Sequence, residues 1–214
     1  MDIDNVQLKN DFKAALIERH SKVVQDKLET AIVGIAGVGG LGSNIAIALA
    51  RMGIRKIIIV DFDKVELSNI NRQAYFIKHI GMKKIDALQE LIYEINPIIK
   101  VEKVDAFIDK SNAVKIFEEV DIIVEALDNP KSKAEFTEKI LLDTNKFLVG
   151  ASGMAGYLSG NTIQTKRKIR NYYLAGDEIS DMDDYNGLMS PRVLITAGHQ
   201  ANMVLRLILG ELIP

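Results

Sequence analysis

Apolar and polar positions run along the chain in alternating blocks. Residues 5–28 are mostly polar, with apolar positions at Val6, Phe12, Leu16, Val23 and Val24, and read as helical. Residues 31–36 (AIVGIA) are a short, continuously apolar run, the pattern of a strand covered on both faces. A glycine-rich turn follows, then a helix over 43–52 rich in Ala, Ile and Leu that stops at Gly53. The same succession repeats. Strands are predicted over 56–60 (KIIIV), 98–104, 121–125 (DIIVE) and 146–150 (KFLVG), and helices over 83–95, 111–119 and 131–142. Asn96-Pro97 ends the helix over 83–95, because the residue before proline is driven out of the helical region. Residues 61–78 are irregular and polar. After Gly150 the pattern loosens: 156–165 alternates weakly, as an antiparallel extension does, 171–190 reads as a flexible loop, and 191–209 as an apolar helix.

Continuously apolar strands that alternate with amphipathic helices predict an α/β fold. The expected architecture is a Rossmann-like, doubly wound, mainly parallel sheet with helices on both faces and an antiparallel C-terminal extension. No repeat or linker interrupts it, so one domain is expected over 1–214: N-terminal helices over 1–30, a nucleotide-binding core over 31–150, and a closing segment over 151–214.

Composition narrows the class. The chain has 214 residues, 48% of them apolar, with 27 basic and 29 acidic side chains and a net charge of −2. That balance excludes a disordered chain and gives no reason to expect a nucleic-acid partner. No run approaches the ~20 apolar residues of a membrane span, and the N-terminus lacks an apolar targeting core, so a cytoplasmic protein with no membrane partner is expected. Cysteine is absent. That rules out thiolate zinc ligands, a disulfide framework and a cysteine nucleophile within these residues, so no zinc is expected.

Gly37, Gly39 and Gly42 match the dinucleotide-type G-x-G-x-x-G between a predicted strand and a predicted helix, the context that motif requires. The first glycine serves the tight turn, the second lets backbone approach phosphate, and the third lets helix and strand pack closely. The helix start offers N–H groups and a positive dipole end to an anion. Asp61 lies 19 residues past Gly42, at the end of the second strand, where it can accept hydrogen bonds from ribose hydroxyls. Users of NAD, FAD, S-adenosylmethionine and ATP share such turns, and a bare structural turn is the bland alternative.

The segment after the second strand separates these readings. A redox Rossmann domain usually turns straight into its next helix, whereas here about a dozen polar residues intervene, a length that tends to carry function. Asn69, Arg72 and Gln73 return amide and guanidinium groups toward the glycine loop, and the planar fork of Arg72 suits a polyphosphate. Lys84 supplies a second positive charge. Asp128, just past the fourth strand, is placed to hold a Mg²⁺ that bridges phosphates.

The ordered set G-x-G-G-L-G-S, V-D-F-D-x-V-x-x-S-N-x-x-R-Q, G-x-x-K and strand-D-N resembles the ThiF/MoeB-like branch of the ubiquitin-activating-enzyme superfamily. The stretch Ser190-Pro191-Arg192 with Gly198-His199-Gln200-Ala201-Asn202 is similar to a short ThiF-type subgroup. The resemblance implies ATP-dependent adenylylation of the C-terminal glycine of a ubiquitin-like, ThiS-like sulfur carrier in thiamine thiazole biosynthesis. It implies Gly40, Asp61, Asn69, Arg72, Lys84 and Asp128 as nucleotide-site residues, with Asp63 and Gln73 beside them. In that scheme Asp61 holds ribose, Arg72 and Lys84 hold phosphates, and Asp128 organises the metal. It also implies a homodimer, a separate sulfur donor, and a carrier-binding, crossover role for 151–214.

The chain departs from the family pattern in two places. Where many relatives have Arg-Tyr-x-Arg in the first helix, with the second Arg reaching ATP across the dimer, this chain has Arg19-His20-Ser21-Lys22, so Lys22 takes the reaching position or Arg19 serves instead. The paired C-x-x-C zinc ligands of many relatives are missing. His199 reads as packing or hydrogen bonding, the basic run Lys166-Arg167-Lys168-Ile169-Arg170 as either a carrier grip or a solvated strand end, and the acidic stretch 177–184 as a cover over the incoming tail or a plain loop. Two other functions remain open: activation of another carboxylate (a MoaD-like carrier, a peptide or a modified tRNA), and an NAD(P)-dependent oxidoreductase.

Overall fold

A computed structural model describes residues 5–181 and 187–214. One seven-stranded sheet organises the chain, in the order β3-β2-β1-β4-β5-β7-β6. The strands are β1 (Ile32–Ala36), β2 (Lys56–Val60), β3 (Lys100–Val104), β4 (Ile122–Glu125), β5 (Phe147–Ala151), β6 (Gln164–Ile169) and β7 (Tyr172–Gly176). All neighbours pair in parallel except β6 with β7, which form an antiparallel hairpin.

The central strands are apolar at nearly every position, Lys56 of β2 and Glu125 of β4 excepted, because both faces are covered. Ile57 and Ile59 of β2 pack into one core, with α3 (Gly40–Met52), α4 (Lys84–Ile95) and α7 (Ser190–Leu209). Ile58 and Val60 point the other way, into a second core with Phe117, Phe136 and Ile140, the last two on α6 (Pro130–Asp143). Each buried isoleucine contributes about 1.5–3 kcal/mol. Three in one strand are therefore comparable with a domain's whole net stability of about 5–15 kcal/mol. Among the described residues no helix is long and apolar enough to cross a membrane.

Several elements differ from the sequence-based expectation. The N-terminal helix breaks at Ser21, whose φ of 73° is left-handed, into α1 (Asn5–His20) and α2 (Lys22–Leu28). The third helix begins at Gly40, so part of the glycine motif is itself helical. The helix expected over 111–119 shrinks to α5 (Ala113–Ile116). Upstream, Asp109 and Asn112 accept hydrogen bonds from the backbone N–H groups of Ser111 and Asp109, and so hold a turn instead. The C-terminal extension is displaced: residues 160–162 form a 3₁₀ turn, and the hairpin starts only at Gln164. Strand β7 falls inside the stretch expected to be a loop. Its pairing with β5 is parallel, so only the outermost strand, β6, is antiparallel. The basic run Lys166–Arg170 is thus mostly β6. Part of the acidic stretch, residues 182–184, lies outside the described residues.

Candidate nucleotide site

Strands β1, β2 and β3 are laid down in one direction from the centre, and β4 and β5 in the other. The crevice at the carboxyl ends of β1 and β4 is therefore the switch point at which doubly wound sheets bind ligands. The glycine loop leaves β1 there and the Ala126–Leu127–Asp128 turn leaves β4 beside it. They touch: a Cβ on Gly37, whose φ is +87°, would lie 2.8 Å from the Ala126 carbonyl oxygen. On Gly42 a Cβ would collide with the Gly37 carbonyl oxygen at 1.9 Å. These two glycines are thus required by the protein's own packing. At Gly39 a Cβ would meet only the Gln73 amide nitrogen, 3.7 Å away. That opening is the space a ligand's phosphates need. Gly39 brings no side chain to cap α3, so the first-turn N–H groups of that helix keep their capacity for an anion.

The polar loop after β2 is fastened over this turn. Ser43 Oγ donates to the Gly39 carbonyl at 2.6 Å and accepts the Ala74 N–H at 3.0 Å. Asn44 Nδ2 donates to the Gly40 carbonyl at 2.6 Å and to the Arg72 carbonyl at 3.0 Å. Two side chains of α3 therefore hold residues 72–74 against the helix start. The buried Tyr75 hydroxyl lies 2.8 Å from the Val38 carbonyl, and burial pushes its pKa well above the ordinary tyrosine value, with the Asp61 carboxylate adding to the rise. It remains a donor.

Within this frame the expected residues take particular places. Asp61 Oδ2 accepts the Val38 N–H and Oδ1 the Asp63 N–H, each at 2.8 Å, so its carboxylate ties the end of β2 to the glycine loop. Asn69 is buried and organises the turn, its Oδ1 accepting the Glu66 N–H and its carbonyl the N–H groups of Arg72 and Gln73. Arg72 is half-buried beside Gly40. Its guanidinium donates to the Ser68 carbonyl and Asn71 Oδ1, both neutral acceptors, and no carboxylate among the described residues pairs with it. Gln73 is buried, with its amide oxygen unpartnered. Lys84 is buried and donates to Asp63 Oδ2 at 2.7 Å, which leaves two of its three N–H donors. Asp128 is exposed at the turn after β4.

Lys22 is not brought to this site within one chain. It is exposed on α2, where it pairs with Asp26 at 2.8 Å. The same short helix packs at the far end of α3, where Gln25 bonds the Gly53 carbonyl. At about 1.5 Å of rise per residue that end is roughly 20 Å from Gly40.

Four contributors escaped the sequence reading. Ser43 stood in the quoted motif without a role, and Asn44 beside it had none. Glu125, fully buried, accepts the Leu127 N–H and pairs with Lys133 of α6 at 2.9 Å; burial pushes its carboxyl above the usual range, opposed by Lys133. Arg192 of α7, 3% exposed, pairs with Asp177 at 2.5 Å and donates to the carbonyls of Leu158 and Ser159. That cluster sits one residue from Val193, whose Cγ1 would be 3.3 Å from a Cβ on Gly40. His199 has the hydrogen-bonding role expected of it, 3.0 Å from Thr165 Oγ1. Lys166 and Lys168 both pair with Glu178.

A doubly wound sheet with a glycine turn at its switch point, a strapped arginine loop and an acid past β4 defines a Rossmann-like nucleotide-site protein. Residues 12–214 match the ThiF family, and the chain belongs to it. It is 34% identical over 131 residues to an adenylyltransferase and sulfurtransferase MOCS3 of Anopheles gambiae, covering 61% of this chain and 30% of that protein. It is 29% identical over 160 residues to a SUMO-activating enzyme subunit 2 of Dictyostelium discoideum, covering 71% and 24%. The chain thus spans about a third or less of these curated relatives. In fold it is similar to the E. coli tRNA N6-threonylcarbamoyladenosine dehydratase TcdA, solved in complex with ATP. The TM-score is 0.83 at 20% identity, and the match covers 98% of this chain and 97% of that one.

Proposed function

We propose that the chain, as one ThiF-type adenylation domain of the cytoplasm, uses ATP to adenylylate a carboxylate. Its preferred substrate is the C-terminal glycine of a ubiquitin-like sulfur carrier, ThiS-like and serving thiamine thiazole formation. The observation that carries this reading is the strap: Ser43 and Asn44 fix residues 72–74 over the glycine loop, so that an arginine with no carboxylate partner among the described residues stands beside an open helix start. An NAD(P) oxidoreductase has no use for that device. Relatives named as adenylyltransferases and as a SUMO-activating subunit support the same reaction and a ubiquitin-like partner.

The chemistry asks for charge neutralisation and alignment. A carboxylate oxygen of the carrier attacks the α-phosphorus of ATP, the bond to pyrophosphate breaks, and the products are an acyl-adenylate and pyrophosphate. The attacking group is already anionic, so no general base is needed. Arg72 and the α3 N–H groups offset the phosphate charge as it shifts onto pyrophosphate. Lys84 adds its remaining donors, and Asp61 orients the ribose. Asp128 suits a Mg²⁺: it is exposed just past the carboxyl end of β4, and one carboxylate with phosphate oxygens and water is a usual Mg²⁺ shell. Bound there, Mg²⁺ supplies further neutralisation of the phosphates. Lys22 reaches ATP only from a second copy, in a homodimer. With no cysteine in these residues, the adenylate passes to a separate sulfur donor.

Carrier-dependent ATP–pyrophosphate exchange tests the proposal. Exchange is expected with a Gly-Gly-ended ubiquitin-like carrier and not without it; no exchange with any such carrier overturns the reading. The whole-chain likeness to TcdA favours one second substrate, the carboxylate of a modified tRNA base. AMP formation that requires such a tRNA and no carrier decides for it.

A further inference from the structure

The turn that carries Asp128 is pinned on both sides, and the pins are linked. Before it, the Ala126 N–H bonds the Ala36 carbonyl at 2.9 Å and the Leu127 N–H bonds Glu125 Oε1 at 2.9 Å. After it, Asn129 Oδ1 caps α6 by accepting the N–H groups of Lys131 and Ser132, both at 3.0 Å. Lys133, one turn into α6, reaches back under the turn. Its ammonium pairs with Glu125 Oε2 at 2.9 Å and donates to the Ala151 carbonyl at 2.7 Å. The pair therefore joins the end of β4, the end of β5 and the first turn of α6. Glu125 is fully buried, while Asp128 between the pins is exposed and has no partner among the described residues.

A buried carboxylate is costly unless paired and hydrogen-bonded. Here both oxygens are engaged, one on the backbone of the very turn that presents Asp128. Ala126 also abuts Gly37, so the pair fixes Asp128 relative to the glycine loop as well as to its own strand. An outer partner that orients a metal-binding carboxylate changes metal affinity without touching the ion.

We propose that Glu125 and Lys133 are positioning residues that set the Asp128 carboxylate against the nucleotide phosphates. This rests on the assignment of Asp128 to Mg²⁺ made above. Neither residue touches nucleotide or metal; they act through the backbone at Leu127 and through the seating of α6.

The test measures binding of α,β-methylene-ATP by calorimetry across a Mg²⁺ titration, with thermal melts of the ligand-free protein alongside. Lys133→Met is expected to raise the Mg²⁺ concentration that half-saturates the coupling by about tenfold or more. Metal-free nucleotide binding should stay within about twofold, because Lys133 has no part in holding the nucleotide itself. Lys133→Arg, which keeps the cation, should restore most of the coupling. If Lys133→Met yields no folded protein, Glu125→Gln serves the same purpose, since it removes the charge that holds Lys133 while keeping an acceptor for Leu127. Wild-type Mg²⁺ dependence in the folded variant, alongside its loss in Asp128→Asn, overturns the positioning role and leaves the Asp128 assignment standing. Unchanged Mg²⁺ dependence in Asp128→Asn overturns that assignment itself.

Discussion

The Asp61 carboxylate accepts the Val38 backbone N–H at 2.8 Å, so the acid placed to hold ribose also holds the glycine loop. Asp61→Ala is expected to do two kinds of damage at once. Leaving the Val38 and Asp63 N–H groups unpaired should cost about 1–3 kcal/mol of stability, and nucleotide affinity should fall by more than the loss of ribose contacts alone. Asp61→Asn retains one acceptor oxygen and should recover part of the stability. Denaturant melts and nucleotide calorimetry on the two variants separate the effects; equal stability of wild type and Asp61→Ala would refute the tie.

Among the described residues Arg72 bonds only neutral acceptors, and it is half-buried, so Arg72→Ala should fold normally. Its pyrophosphate exchange should drop by orders of magnitude, since one lost transition-state contact costs ~3–4 kcal/mol at comparable sites. Exchange near the wild-type rate would show that the phosphates lie elsewhere.

Asn44 touches no ligand in this scheme, yet it joins the Gly40 and Arg72 carbonyls. Asn44→Ala should therefore lower exchange about tenfold, an effect of mispositioning of the kind expected when catalytic groups move by a fraction of an ångström. The loss should fall mainly on kcat rather than on nucleotide affinity. A pure affinity loss would point to direct contact instead.

The Arg192–Asp177 pair predicts a pH effect. Burial pushes the Asp177 carboxyl up, but the N–H groups of Ser180 and Ile179, the Ser180 hydroxyl and Arg192 outweigh it and hold the pKa below the ordinary carboxylate value. The folded state thus binds that proton less readily than the unfolded chain. The contribution is whole above ~4, the unfolded aspartate value, and is lost as pH falls through the lower folded value. Melting temperature against pH should show an acid decline that is shallower in Asp177→Asn. Arg192→Met strands a buried carboxylate and should cost about 3–5 kcal/mol at neutral pH.

Because these residues include no cysteine, alkylation with iodoacetamide should leave exchange unchanged. A loss would mean that the reagent had modified another residue type or a co-purifying protein.

The parallel core was legible in the sequence because two-sided burial leaves an unmistakable pattern: KIIIV is β2, residue for residue. The edge was not. Strand β7 is five residues, YYLAG, flanked by charge, and no local signal says that it slots between β5 and β6. That placement is decided by tertiary packing, with Tyr173 fully buried under α7. At the site, the residues quoted from motifs do gather at the switch point, except Lys22. The side chains that hold them there went unseen, since a Ser and an Asn in an apolar helix, or a Glu closing an apolar strand, look ordinary until their hydrogen bonds are known.

Helix α7 bears on the order in which the molecule can be completed during synthesis. Its Val193 backs Gly40, its Gln200 bonds the Glu125 and Val149 carbonyls, and its Arg192 locks the segment after β5. All of them lie behind residue 189 in a chain that a ribosome lengthens at about 5–20 residues per second. The glycine loop, near residue 40, emerges many seconds before the helix that backs it. Until then the nascent sheet carries one apolar face that α3 and α4 cover only in part. Competence for nucleotide should therefore appear late and in a single step, and stalled chains ending before α7 are the ones that chaperones should be found holding.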